Sequence, residues 1–343
     1  MKKRLTVVRL DTWYDPAMEM RFGEEPDIEL LTCGRSDVAA TIGALQRACV
    51  YQISSTRSDV PTQLLAGEAI LRRCPSILCV STSGAGHDTV DVAACTAAGV
   101  LVVNQAGINA RAVAEHTLGV ILGLSRRIVE SDRRLRRQRG FAREDLMGRD
   151  IGGKTLGIVG IGHIGTRVAA LAGAFGMEVI ACDPYLDDAL IAQRGARPVT
   201  FDRLLREADF VSLHCPRNSE TIGMMDAAAF SRMREGSFFV NTARGGIHDE
   251  AALGKALEHG RLAGAAVDVW DTEPPALDHP LLQSDRVIAT WHTAGVTHEA
   301  RRGMASGAAD QVVDVLRGRR PPRIVNPQVW DVFRLRLDRE VGL

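Results

Sequence analysis

The chain has 343 residues, 45% apolar and 24% charged, enough for two domains of ordinary size, each with its own core. Lysine plus arginine and aspartate plus glutamate both number 42, so the formal net charge is zero. That balance argues against a general attraction to nucleic acid or an anionic membrane surface, and no apolar run approaches the length of a membrane span.

The opening MKKRLTVVRLD begins basic, but Arg9 and Asp11 interrupt its apolar stretch, so it reads as a first strand at Thr6–Leu10 and not as a secretory leader. Further strands are expected at Cys49–Ile53, Ile77–Val80 and Leu101–Val103. Helices are expected at Pro61–Arg73 and Asp91–Ala98, where Pro61 and Asp91 suit helix starts. A long helix is then expected from about Asn109 into an arginine-rich stretch, with Gly119 and Gly123 permitting close packing. Its arginines, Arg133, Arg134, Arg136, Arg137 and Arg139, read as a solvated helix end, because no aromatic residues interleave them. After a glycine-marked loop, strands are expected at Thr155–Val159, Glu178–Cys182, Phe210–Leu213, Phe238–Asn241, Ala265–Val267 and Val287–Thr290. Crossover helices such as Ile164–Phe175 and Asp249–Glu258 join them, and one more helix spans His298–Leu316. This rhythm is that of an α/β protein with doubly wound parallel sheets.

The seven cysteines are dispersed, and none forms a C-x-x-C pair. They indicate neither a zinc site nor a disulfide framework, and suit small core residues in a reducing, cytoplasmic compartment.

The segment from Thr155 to Gly165, T-L-G-I-V-G-I-G-H-I-G, carries Gly160-x-Gly162-x-x-Gly165 between a β-branched strand and a helical pattern. Gly160 permits the tight turn, Gly162 lets backbone approach a pyrophosphate, and Gly165 lets helix pack on strand. The anion then meets free N–H groups at a helix N-terminus. Asp183 follows the second strand about 20 residues on, where a carboxylate accepts from ribose hydroxyls and repels a 2′-phosphate. The expected cofactor is therefore NAD.

Three later segments each put one functional group just beyond a strand: Arg244 in N-T-A-R-G-G, Glu273 in D-V-W-D-T-E-P, and His292 in T-W-H-T-A-G. Taken singly, each has an ordinary structural explanation; in this order, after successive strands of a nucleotide-binding sheet, they suit hydride transfer to a 2-oxo acid. A guanidinium holds the substrate carboxylate and polarises the carbonyl. A histidine exchanges the proton, and a neighbouring carboxylate orients it.

With these residues in place, the chain resembles the D-isomer-specific 2-hydroxyacid dehydrogenases, phosphoglycerate dehydrogenase-like members above all. The matching stretches are G-A-G-H-D-T-V-D (84–91), A-V-A-E-H-T-L (112–118), the Gly160 turn, H-C-P (214–216), N-T-A-R-G (241–245), D-V-W-D-T-E-P (268–274) and the His292 segment. The resemblance implies that Arg244, Glu273 and His292 are catalytic, and that Asp268 contacts the nicotinamide carboxamide. It puts His163 and Ile164 at the pyrophosphate, Thr242 and Ala243 near the nicotinamide ribose, and the backbone of Ser83, Gly84 and Ala85 at the substrate carboxylate. Cys215, Pro216, Thr221 and Gly295 complete the expected cofactor contacts. It also implies a Rossmann NAD-binding domain (105–295) inserted into a flavodoxin-like substrate domain (1–104 and 296–343), in a homodimer with the helix from Asn109 at its interface.

Two residues depart from the family pattern: Trp291 stands where proline is common, and His248 where an aliphatic residue is usual. Trp291 is expected to pack behind His292. The end at Leu343 leads to the expectation that no regulatory domain follows. The expected reaction is reversible reduction of a small 2-oxo acid; the alternatives are a formate dehydrogenase-like activity, which Glu273 disfavours, and an NAD-sensing corepressor or scaffold.

Overall fold

The computed structural model describes residues 4–341, which form two compact units. One unit runs to Asn109 and resumes at Thr297; the other is Ala110–Val296. Residues 104–109 belong with the first because the Gln105 N–H donates to the Gly84 carbonyl, while the Gln311 side chain donates to the Asn104 carbonyl.

The first unit is built on β1 (Leu5–Leu10), β2 (Ile28–Cys33), β3 (Val50–Ile53), β4 (Cys79–Thr82) and β5 (Leu101–Val103), in the order β2-β1-β3-β4-β5, all parallel. This is the flavodoxin-like order. Every residue of β1, β3, β4 and β5 is buried, as expected for parallel strands covered by helices on both faces. Phe22, Val312, Phe333 and Leu337 pack on one face; Ile42, Leu64, Ile70 and Cys95 pack on the other. Asp91 and Thr297 cap the helices Val92–Ala97 and His298–Leu316, each side chain accepting a backbone N–H of the first turn.

The second unit holds β6 (Thr155–Val159), β7 (Glu178–Cys182), β8 (Arg197–Pro198), β9 (Phe210–Leu213), β10 (Ser237–Asn241), β11 (Leu262–Val267) and β12 (Val287–Ala289). They form a seven-stranded parallel sheet ordered β12-β11-β10-β9-β6-β7-β8. The strand order reverses between β6 and β9, which makes a crevice beyond their C-terminal ends, where ligands of such sheets bind.

The structure corrects several expectations. β2, β8 and the closing helix Trp330–Val341 are additional elements. The span Pro61–Arg73 is not one helix: a 3-10 turn at Thr62–Leu64 precedes the helix Glu68–Arg73, and between them Ala66 bridges to Val90 as extended backbone. The long helix divides into Ala110–Ser125 and Ile128–Arg137, because Arg127 takes a left-handed φ of 52°. The Arg127 guanidinium fixes that break by binding Glu130 and the Asp145 carbonyl. Gly123 is a packing glycine, since a Cβ there would lie 2.9 Å from Ile288, but Gly119 has no neighbour at that position. Among the described residues no helix is long and apolar enough to cross a membrane, and no group of three or more potential ligands is arranged to hold a metal ion.

Candidate active site

The turn after β6 is shaped by steric exclusion. Gly160 has a φ of 87°, and a Cβ on it would lie 2.8 Å from the Cys215 nitrogen and 2.9 Å from the Cys215 Cα. A Cβ on Gly165 would lie 2.3 Å from the Gly160 carbonyl oxygen, so the helix His163–Ala174 starts hard against the strand. Gly162 differs: a Cβ there meets nothing within 4 Å, which leaves open space above the helix N-terminus. The first-turn N–H groups of a helix have no intrahelical acceptor and face that space. Asp183, just after β7, accepts from the Ile161 N–H at 3.1 Å and the Tyr185 N–H at 3.1 Å, which holds its carboxylate beside the turn.

His214 and Cys215 buttress the other side of the turn. The Thr221 hydroxyl donates to the Pro216 carbonyl at 2.6 Å, closing the loop that follows β9. His214 is half-buried with its Nε2 2.9 Å from the Ser212 hydroxyl, and desolvation pushes its pKa down to about 3. It is therefore a neutral structural imidazole.

Arg244, Glu273 and His292 stand beyond β10, β11 and β12, three adjacent strands. After β10, Asn241 organises the turn: its Oδ1 accepts from the Ala243 N–H at 2.9 Å, and its Nδ2 donates to the Arg244 carbonyl at 2.9 Å. Arg244 is half-buried, and its guanidinium reaches back to the Ala243 carbonyl at 2.7 Å. Thr242 meets Thr117 hydroxyl to hydroxyl at 3.0 Å; since Thr117 donates to the Val113 carbonyl, Thr242 supplies the proton. A Cβ on Gly245 would lie 2.0 Å from the Trp270 carbonyl oxygen, so this turn and the segment leading to Glu273 approach backbone to backbone.

His292 and Glu273 are directly paired. The imidazole Nδ1 lies 2.9 Å from Glu273 Oε2, while Glu273 Oε1 accepts from the Trp270 N–H at 3.2 Å. The carboxylate is thus anchored from one side and holds Nδ1 from the other, leaving Nε2 to face outward. His292 has a φ of 49°, uncommon for a non-glycine residue. Asp268, 2% exposed, maintains this bend: it accepts from the Thr290 hydroxyl and from the N–H groups of Thr293 and Ala294. Those three bonds leave the carboxylate about one lone-pair site. Gly295, half-buried, ends the segment. Trp291 does not pack behind His292; the residue is 66% exposed. The left-handed bend turns the preceding side chain outward.

Ser83, Gly84 and Ala85 follow β4 in the other unit. The Gly84 carbonyl accepts from Gln105 and Thr82, and the Ala85 carbonyl accepts from the Asn104 amide. The N–H groups of Gly84 and Ala85 make no hydrogen bond among the described residues. Ser83 also borders a small, half-open hollow lined by Trp13, Tyr14, Met18, Arg301 and Met304, where the Arg301 guanidinium lies 5.8 Å from the Trp13 ring centre.

Residues 118–294 match the model of the D-isomer specific 2-hydroxyacid dehydrogenase family, NAD binding domain. The chain is 42% identical over 257 residues to a D-3-phosphoglycerate dehydrogenase of Mycobacterium leprae, covering 75% of this chain and 48% of that protein. It is 36% identical over 266 residues to a glyoxylate reductase of Korarchaeum cryptofilum, covering 77% and 80% respectively. A D-lactate dehydrogenase structure from Aquifex aeolicus, complexed with NAD and lactic acid, superposes with a TM-score of 0.78 at 27% identity, covering 91% of this chain and 96% of that one. The chain spans about half the length of the D-3-phosphoglycerate dehydrogenases it matches. The chain belongs to the D-isomer specific 2-hydroxyacid dehydrogenase family.

Proposed function

We propose that the chain is an NAD-dependent dehydrogenase that interconverts a small 2-oxo acid and its D-2-hydroxy acid. The observation that carries this reading is the His292–Glu273 pair at 2.9 Å, beyond β12 and β11, with Arg244 beyond β10, the next strand in the sheet. The open space at Gly162 and the Asp183 carboxylate fit the pyrophosphate and ribose of a dinucleotide, with Asp183 favouring NAD over NADP by repelling a 2′-phosphate.

Bound NADH supplies the hydride. Arg244 holds the substrate carboxylate and draws electron density from the carbonyl. His292 gives a proton from Nε2 to the developing alkoxide, and Glu273 stabilises the imidazole through Nδ1. The reverse reaction uses the same groups with the proton returning to His292. The N–H groups of Gly84 and Ala85, which make no hydrogen bond among the described residues, suit a carboxylate, and the family resemblance supports their taking part in substrate binding. The family resemblance supports a cytoplasmic homodimer.

The test is NADH oxidation by the purified chain over a panel of glyoxylate, hydroxypyruvate, pyruvate and phosphohydroxypyruvate. At least one acid is expected to turn over, with His292→Ala lowering kcat at least a hundredfold while NADH affinity stays within about twofold. NADH binding with no turnover of any 2-oxo acid would refute the dehydrogenase reading and favour a cofactor-sensing role.

A further inference from the structure

His248 lies on the far side of the turn that carries Arg244, 1% exposed and packed 5.5 Å from the Phe239 ring centre. Its Nδ1 is 3.0 Å from the Asn241 side-chain nitrogen. The polarity of this contact follows from the neighbours. Asn241 must present its oxygen to the Ala243 N–H, so its NH2 group faces both the Arg244 carbonyl and His248. A carbonyl can only accept, and His248 Nδ1 must therefore accept as well. The proton of the neutral ring then sits on Nε2. Protonating Nδ1 would set donor against donor. Burial pushes the His248 pKa down to about 4, which keeps the ring in its accepting form at neutral pH.

Asn241 consequently has two donors and two acceptors, one of which is the backbone carbonyl of Arg244. Without the imidazole, half of the amide's donor capacity is left buried and unmatched, and the amide is free to rotate off the turn. An aliphatic side chain fills the space but supplies no acceptor.

We propose that His248 is a positioning residue: acting through Asn241, it fixes the Thr242–Arg244 turn and so sets where the Arg244 guanidinium meets its anionic substrate. This rests on the dehydrogenase reading for its kinetic consequence, but not for its structural one.

The test compares His248→Leu with His248→Asn in the full-length chain. Asparagine places its Oδ1 close to where histidine has Nδ1 and keeps the acceptor; leucine keeps bulk and removes it. His248→Leu is expected to raise KM for the accepted 2-oxo acid about tenfold, with NADH affinity unchanged, and to speed hydrogen exchange at the Ala243 amide by about tenfold. His248→Asn is expected to stay within about threefold of the unsubstituted chain in both. Equal impairment of the two variants would overturn the proposal in favour of simple packing, and so would unchanged Ala243 exchange in His248→Leu. If the unsubstituted chain turns over no 2-oxo acid, the dehydrogenase reading fails, while the exchange comparison still decides the role of His248.

Discussion

The dinucleotide turn allows a sharp separation of two roles that glycine plays within a few residues. Gly160→Ala forces a Cβ into a left-handed φ of 87°, which costs about 1–2 kcal/mol, and drives it against the backbone of His214 and Cys215 inside 3.0 Å. Backbone cannot swing aside as a side chain can, so a total of about 2–4 kcal/mol is expected. For a unit of this size that lowers Tm by roughly 5–12 °C. Gly162→Ala meets no protein atom within 4 Å, so its Tm should stay within about 3 °C. If the pyrophosphate lies over this turn, as proposed, the added methyl group occupies its space and NADH affinity should drop at least about tenfold. Thermal unfolding and NADH fluorescence titration on both variants are the assay. If Gly162→Ala binds NADH like the unsubstituted chain, the cofactor does not cross this turn. If it loses as much Tm as Gly160→Ala, the space is not open.

Glu273→Gln keeps an acceptor toward the Trp270 N–H but removes the charge beside His292. Steady-state kinetics should show kcat down by about a hundredfold with NADH affinity intact; an unchanged kcat would remove Glu273 from the mechanism. Two desolvated imidazoles set an acid limit on stability. His214 and His248 have folded pKa values near 3 and 4, below the ordinary 6.5, so the unfolded chain takes up their protons first as pH falls. Stability is complete above pH 6.5 and declines toward the folded values, by about 1.4 kcal/mol per pH unit for each histidine. Unfolding curves between pH 7 and 5 should show this slope, and His248→Leu should flatten it.

Where physical causes are local, the sequence carried them. β6, β7 and β9 lie where β-branched runs placed them, and Asp91, Asp249 and Thr297 cap helices as their side chains permit. The Glu273–His292 contact was legible because two strand-end positions on neighbouring strands must converge. What escaped was set by distant partners. Arg127 breaks a periodic helix, its side chain held by nearby Glu130 and by the Asp145 carbonyl eighteen residues on, and the second of these has no local signal. β2 carries a half-exposed pattern without the dense branching of its neighbours, and β8 is only two residues long. The closing helix did have a signal, Trp330, Phe333 and Leu337 on one side, of which Phe333 and Leu337 are fully buried. Trp291 was misjudged because the outward turn depends on the φ of His292, itself imposed by Asp268. His248 looked anomalous for the same kind of reason: its acceptor matters only once Asn241 is seen to need one.

The close approach of Gly160 to Cys215 changes what a glycine fingerprint means. The motif is written as a short string, yet its first glycine answers to residues more than fifty positions downstream, just beyond the end of the neighbouring strand. A graft of 155–165 into another α/β sheet would transplant the string without its reason. In such a host the first glycine would answer only to its own left-handed φ, whereas here any change at 214–215 that shifts the backbone also reaches the turn.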